Sequence, residues 1–255
     1  VQLGDWTVLL VAAAAAGWVD AVVGGGGLII LPTLLLVAPG IAPQTALGTN
    51  KMAALAGTAT AVLTFARKVP MQWKVLVPGG VIAAITAACG AAAVSLIDRE
   101  LFIPMVMVVL VGVAIFVTLR PKVGLTMATH PPTRRKVILV VALASGLIGL
   151  YDGLLGPGTG TFLIITFATL LGTEFVRAAA MAKVINCGSN VGALLYLGAT
   201  GHVLWGLGAG MAVANIAGAV VGSRMALAKG AGFVRVVLLV VVVVMVVRLG
   251  WQQFA

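Results

Sequence analysis

The sequence predicts an all-α polytopic membrane protein built from two four-segment repeats. The first segment of each repeat is broken at glycines, and the second copy is inverted. Composition is the first observation: 62% of the 255 residues are hydrophobic and 9% are charged, whereas a soluble domain carries about 25% charged residues. The second is a set of stretches without Lys, Arg, Asp or Glu, at 75–97, 101–119, 137–151, 203–223 and 236–247. Several approach the roughly 20 residues that a helix needs to cross about 30 Å of hydrocarbon. The third is a register of 132 residues that pairs Asp20 with Asp152, Gly24 with Gly156, Gly40 with Gly172, Ala46 with Ala178, Lys51 with Lys183, Trp73 with Trp205 and Gly90 with Gly222. An apolar unit written twice and interrupted by glycine at matching places is the pattern of a transporter built from repeats, with its site at the breaks.

Each copy reads as four pieces. The long interrupted piece spans 6–39 in the first copy and 137–171 in the second. It is followed by 45–65, 75–97 and 101–119, matched by 177–199, 203–227 and 233–251. The valine run 240–244 has strand propensity, but a lone strand in lipid leaves its backbone unpaired, so a helix is expected. A barrel would require alternating ten-residue segments, which the sequence lacks. The copies, residues 1–119 and 137–255, are joined by a solvated linker at 120–136 with Pro121, Pro131, Pro132 and the cluster Arg134, Arg135, Lys136.

Charge sets the orientation. If the interrupted piece crosses once, Arg and Lys divide 9 against 5 between the two sides; if it turns back at its glycines, they divide 12 against 2. The second division fits the positive-inside bias better. It implies inverted repeats, both ends of the chain outside and a cytoplasmic linker. The arm after the first break is short for a full crossing. The net charge of +10 lies mainly between apolar runs and does not indicate nucleic acid. Nothing before the first apolar run resembles the basic region of a signal peptide.

The breaks are the first candidate site. Gly24, Gly25, Gly26 and Gly27, and the run Gly156-Pro157-Gly158-Thr159-Gly160-Thr161, interrupt apolar segments. Broken backbone at membrane depth must be buried in protein or line a polar cavity. A helix starting there offers free N–H groups and a positive dipole end to an anion. Close packing through small residues is the competing explanation. Lys51 and Lys183 each lie some seven residues into a segment, roughly 10 Å deep. Intramembrane lysines are costly and mark candidate sites, although a lysine can also snorkel to the interface.

Lys183, Asn186 and Asn190 form an i, i+3, i+7 stripe; the first copy offers Thr49, Asn50, Lys51 and Thr58, with Ala54 where Asn186 would be. The fuller stripe makes Lys183 the expected stronger anion ligand. Asp20 and Asp152 are the acids deep in apolar segments, suited to pairing with a lysine, capping the helix after the break, or carrying a proton. Trp73 and Trp205 read as interfacial anchors. Cys89 and Cys187 read as small buried hydrophobes, and no metal or cofactor is expected.

Gly24-Gly-Gly-Gly-Leu-Ile-Ile-Leu-Pro32, then Ala46-Leu-Gly-Thr-Asn-Lys51, then Val69-Pro-Met-Gln-Trp73, resembles the TauE/SafE sulfite exporter family. Tyr151-Asp-Gly-Leu-Leu-Gly-Pro-Gly-Thr-Gly-Thr161 is similar to that family's second motif. The resemblance covers essentially the whole chain. It implies a multi-pass permease of the bacterial inner membrane for sulfite or small organosulfonate anions. The expectation is therefore a secondary transporter working by alternating access, with a small sulfur-containing anion and the lipid bilayer as its partners and no enzymatic chemistry. An anion channel of the same fold is the alternative. The absence of a Walker motif argues against direct ATP drive.

Overall fold

A computed structural model describes residues 3–38, 40–119 and 132–254. Among them the regular structure is entirely helical: α1 (Leu3–Val23), α2 (Gly27–Val37), α3 (Pro43–Ala66), α4 (Trp73–Val94), α5 (Arg99–Leu119), α6 (Arg134–Leu154), α7 (Thr159–Leu170), α8 (Phe175–Ala199) and α9 (Trp205–Phe254). The interrupted pieces are helix pairs, α1 with α2 and α6 with α7. At the first break Gly24 takes φ 81°, and the chain folds back until Gly26 lies against Ala16 and the Asp20 side chain. At the second, Tyr151 donates to the Pro157 carbonyl and stacks edge-on with Phe162. With 11 residues, α2 is about 16 Å long, half the hydrocarbon thickness and too short to cross it alone.

Two boundaries differ from the sequence expectation. Thr133 Oγ accepts from Lys136 N at 3.4 Å and caps α6, so Arg134, Arg135 and Lys136 form its first turn instead of ending the linker. The remainder expected as linker, 120–131, lies outside the described residues. The segments expected at 203–227 and 233–251 form one helical run, α9, interrupted where Gly230 leaves helical geometry at φ 67°, ψ −163°.

Helix directions follow from side-by-side glycine contacts. Along α1 and α9, Gly210 faces Trp6 and Leu10, Asn215 bonds the Ala13 carbonyl, Gly218 faces Ala14, and Gly222 faces Trp18. Numbers rise together, so the two helices run the same way. By the same test α3 runs with α9, since Gly48 meets Val203, Met52 meets Gly208, and Gly57 meets Asn215. Helix α4 runs with α6 (Gly79 near Val141, Ala83 near Gly149, Ala87 near Gly153) and with α8 (Gly80 near Val184, Ala84 near Gly192). In contrast α3 and α8 are antiparallel, with Thr58 at Asn190 and Gly48 at His202. The described core therefore consists of two interlaced bundles of opposite direction, α1–α3–α9 and α4–α6–α8. Their starts and ends sort onto two faces: the start of α4, α6 and α8 shares one face with the end of α3.

Lipid explains the outer surface. Asp5–Val23, Trp73–Val94, Arg134–Leu154 and Trp205–Gly230 are long and apolar enough to cross a membrane. On α6, Leu139, Leu143, Leu147 and Leu150 form an exposed stripe, and on α4 so do Val77, Val81 and Ile85. Such apolar patches are a liability in water and at home in hydrocarbon. Cys89 continues the α4 stripe and is exposed, and Cys187 is half-buried. The expectation of two buried thiols is thus corrected, because i, i+4, i+8 spacing carries Cys89 outward with its neighbours. Helices α3 and α8 are the opposite case. They hold Thr49, Asn50, Lys51 and Thr58, and Lys183, Asn186, Ser189 and Asn190, all buried. Their exposed large apolar side chains are confined to Leu63 on α3 and Val191 and Leu195 on α8 among the described residues.

Candidate substrate site at the crossed helix breaks

The two lysines and two aspartates pair crosswise. Lys51 Nζ on α3 lies 2.7 Å from Asp152 Oδ2 on α6, both side chains at most 3% exposed. Lys183 Nζ on α8 lies 2.8 Å from Asp20 Oδ2 on α1 and also donates to the Asp20 carbonyl. Each pair joins one half of the sequence to the other and one bundle to the other. An unpaired charge at this depth would be prohibitive, and pairing is what makes these four residues tolerable.

The aspartates also tie down the breaks. Asp152 Oδ1 accepts from Thr159 Oγ1 at 2.7 Å, in the first turn of α7. Asp20 Oδ1 accepts from Gly26 N at 3.4 Å, just before α2. Ion pairing and bracing of the breaks are therefore combined in the same side chains. Asp20 Oδ2 accepts from Thr58 Oγ1 at 3.3 Å, and Asn190 Nδ2 reaches Thr58 Oγ1 at 3.5 Å. Thr58 and Asn190 are 132 residues apart, so positions equated by the repeat meet each other at the centre.

The breaks touch directly. Thr161 N donates to the Gly24 carbonyl at 3.1 Å, and Thr161 Oγ1 to the Val23 carbonyl at 2.9 Å. Gly160 approaches Gly24 so closely that a methyl group on it would lie 2.5 Å from Gly24 Cα. Between the breaks is a cavity of about 20 Å³. Of the residues expected at the site, Asp20, Gly24, Gly27, Asn50, Lys51, Asp152, Thr159, Gly160, Asn186 and Asn190 line it. Gly156, the first residue of the second break and the offset partner of Gly24, lines it too, and so does Ala54. Asn50 Oδ1 is buried without a hydrogen-bond partner, which leaves a polar group in the wall for a ligand or a water.

The other expected residues lie outside the lining. Gly25 packs against Val19 and Leu28, and Gly26 against α1. Gly158, at φ 82°, caps α7 in the left-handed region. Thr161 pins the breaks together. Thr49 Oγ1 donates to the Thr45 carbonyl at 2.7 Å and accepts from Leu204 N at 3.1 Å, at the start of α9. Lys183 turns to Asp20, so within the stripe it was expected to lead, Asn186 and Asn190 face the cavity. Lys51 is the lysine in the wall.

Membrane-crossing apolar helices around two broken segments, with ionisable pairs buried at the breaks, define a multi-pass membrane transporter. The chain belongs to the TauE/SafE family: residues 9–249 match the family described as "Sulfite exporter TauE/SafE". It is 36% identical over 219 residues to the "Probable membrane transporter protein ORF9" of a Sinorhizobium species, covering 86% of this chain and 82% of that one. It is 33% identical over 215 residues to the "Probable membrane transporter protein YfcA" of Escherichia coli K12, covering 84% and 78%. A "Probable membrane transporter protein" of Haemophilus influenzae is 32% identical over 234 residues, covering 88% of each chain. No solved structure matches the chain. Membership places the protein among transporters rather than enzymes, and its helical spans with these bacterial relatives place it in the inner membrane.

Proposed function

We propose that the protein is a secondary transporter of sulfite or a small organosulfonate or sulfur oxyanion, working by alternating access. The observation that carries this reading is the meeting of the N-termini of α2 and α7 at one buried cavity that also contains Lys51. Two positive dipole ends and a lysine make an anion cradle. The side-chain amides of Asn50, Asn186 and Asn190 supply hydrogen-bond donors. A cavity of about 20 Å³ holds roughly one water, so the loaded state requires the bundles to part. Both ion pairs run between bundles, and they are the contacts that loosen as an anion takes over the lysine charge. Asp20 and Asp152 act first as structural partners of the lysines.

In this reading residues 1–119 and 137–255 are inverted repeats. The support is that α1 and α6, α3 and α8, and α4 and α9 equate by the offset and run in opposite directions. The moving bodies are then the interlaced bundles and not the two halves of the sequence. The face with Arg67, Lys68, Lys74, Arg134, Arg135, Lys136 and Arg177 is cytoplasmic by the positive-inside bias. An epitope inserted within 120–131 is expected to be reachable only after permeabilising cells, and one inserted after Gly201 is expected to be reachable without it. The reverse pattern would turn the protein over, and equal access would break the inverted assignment.

Proteoliposomes decide the substrate. Saturable flux of sulfite, sulfoacetate or thiosulfate, with sulfate as comparison and with and without a pH gradient, is the expected result. Flux that never saturates would make the protein an anion channel. No flux of any of these anions would remove the sulfur-oxyanion reading.

A further inference from the structure

A far larger cavity lies away from the breaks. It measures about 780 Å³ and is lined by Arg67 and Lys68 after α3, Glu174 and Arg177 at the start of α8, and Arg224 on α9. Four cations face one carboxylate, and among the described residues none of the five is in a salt bridge. Arg67, Lys68 and Arg224 are exposed and Arg177 is half-buried. The cavity lies at one end of the α3–α8 seam whose middle is the substrate site. Along α8 the order is Arg177, then Lys183 with Asp20, then Asn186 and Asn190 in the wall of the small cavity. Six residues separate Arg177 from Lys183, about 9 Å along the helix.

The repeat makes the charge informative. The offset partners of Arg67, Lys68, Arg177 and Arg224 are Ala199, Thr200, Thr45 and Ala92. Folding and packing at the corresponding place on the other face therefore need no cation. An architecture shared by both halves thus carries these four cations at one end of the seam, without counterparts at the offset positions of the other.

We infer that this cavity is a loading vestibule, where Arg67, Lys68, Arg177 and Arg224 capture the oxyanion or sulfonate before it passes the Lys183–Asp20 pair. The inference rests on the anion-transport reading above. A charged cleft with low-dielectric walls focuses its field and raises local anion concentration and on-rate by about 10- to 1,000-fold, an effect that salt removes. At the other end these four cations have no counterparts and this capture is missing, so the two faces load with unequal affinity. Anionic lipid headgroups share the ligand chemistry and are the alternative occupant.

Pyrenetetrasulfonate, too large for the central cavity, is the probe. Wild-type protein in neutral detergent is expected to bind it, and R67Q/R177Q/R224Q at least about tenfold more weakly. Raising salt from about 0.01 to about 0.15 M shortens screening from about 30 to about 8 Å and should erase most of that difference. Sulfite should displace the probe. In phosphatidylcholine vesicles the triple variant should show KM for sulfite from the basic face raised about tenfold, with the maximal rate changing far less and KM from the opposite face unmoved. Equal probe binding by variant and wild type overturns the vestibule. So does a probe displaced by phosphatidylglycerol but not by sulfite, which would make the cavity a lipid-headgroup site. If wild type carries no sulfur anion yet another small anion displaces the probe in wild type alone, the substrate assignment fails and the vestibule stands.

Discussion

Replacing Lys51 with Met is expected to destabilise the protein by about 3–5 kcal/mol, the range for removing one partner of a buried ion pair. The cause is the group left behind. Asp152 sits 2% exposed with Thr159 as its hydroxyl donor, and a cavity with room for roughly one water cannot replace the ammonium. The double variant K51M/D152N removes both charges at nearly constant volume, so most of the lost stability should return. Transport should not return with it, since the cavity has lost its cation. Thermal or denaturant unfolding of the purified proteins reads the first part, and sulfite flux the second. A single variant as stable as wild type would show that Asp152 does not need its partner, and the crossed pairs would lose their structural role.

Gly24→Ala should be nearly as damaging. Gly24 has φ 81°, a region that costs an L-residue about 1–2 kcal/mol. A methyl there would also lie 2.5 Å from Thr161 N and 2.6 Å from Gly160 Cα, and overpacking of this kind costs about 1–3 kcal/mol more. Gly160→Ala brings the steric part without the dihedral part, so it should fall between Gly24→Ala and wild type. Gly146→Ala is the control. It lies within α6 with nothing within 4 Å of the added carbon, and helix propensity favours alanine there by about 1 kcal/mol. Unfolding midpoints should rank Gly146→Ala at or above wild type, then Gly160→Ala, then Gly24→Ala. Gly24→Ala as stable as Gly146→Ala would mean that the breaks do not depend on their close crossing.

The sequence carried the breaks because glycine at matching places has few uses inside an apolar segment. It carried helix boundaries well for the same reason, since Pro43 and Phe175 both start helices and are 132 residues apart. The ion-pair partners were not legible. Lys51 and Asp152 come from different halves of the sequence, and no local spacing encodes which acid a buried lysine meets. That is why the fuller polar stripe pointed to Lys183 while the fold put Lys51 in the cavity wall. Arg67, Lys68, Arg177 and Arg224 read only as markers of membrane side, because their convergence on one cavity depends on how α3, α8 and α9 meet.

The interlacing of the bundles has a consequence for how the protein is made. Helix α1 is synthesised first, but its packing partner is α9: the Asn215 side chain that bonds the Ala13 carbonyl arrives 202 residues later. At about 5–20 residues per second, that is roughly 10 to 40 s of translation. Throughout it the small-residue face of α1 and the Asp20 carboxylate wait in the bilayer for neighbours that do not yet exist. A stalled or truncated chain ending before Trp205 is therefore not a smaller version of the protein, since α1 and α3 lack the helix that both pack against. Insertion machinery or lipid has to shelter them, and quality-control proteases have the whole of that interval in which to act.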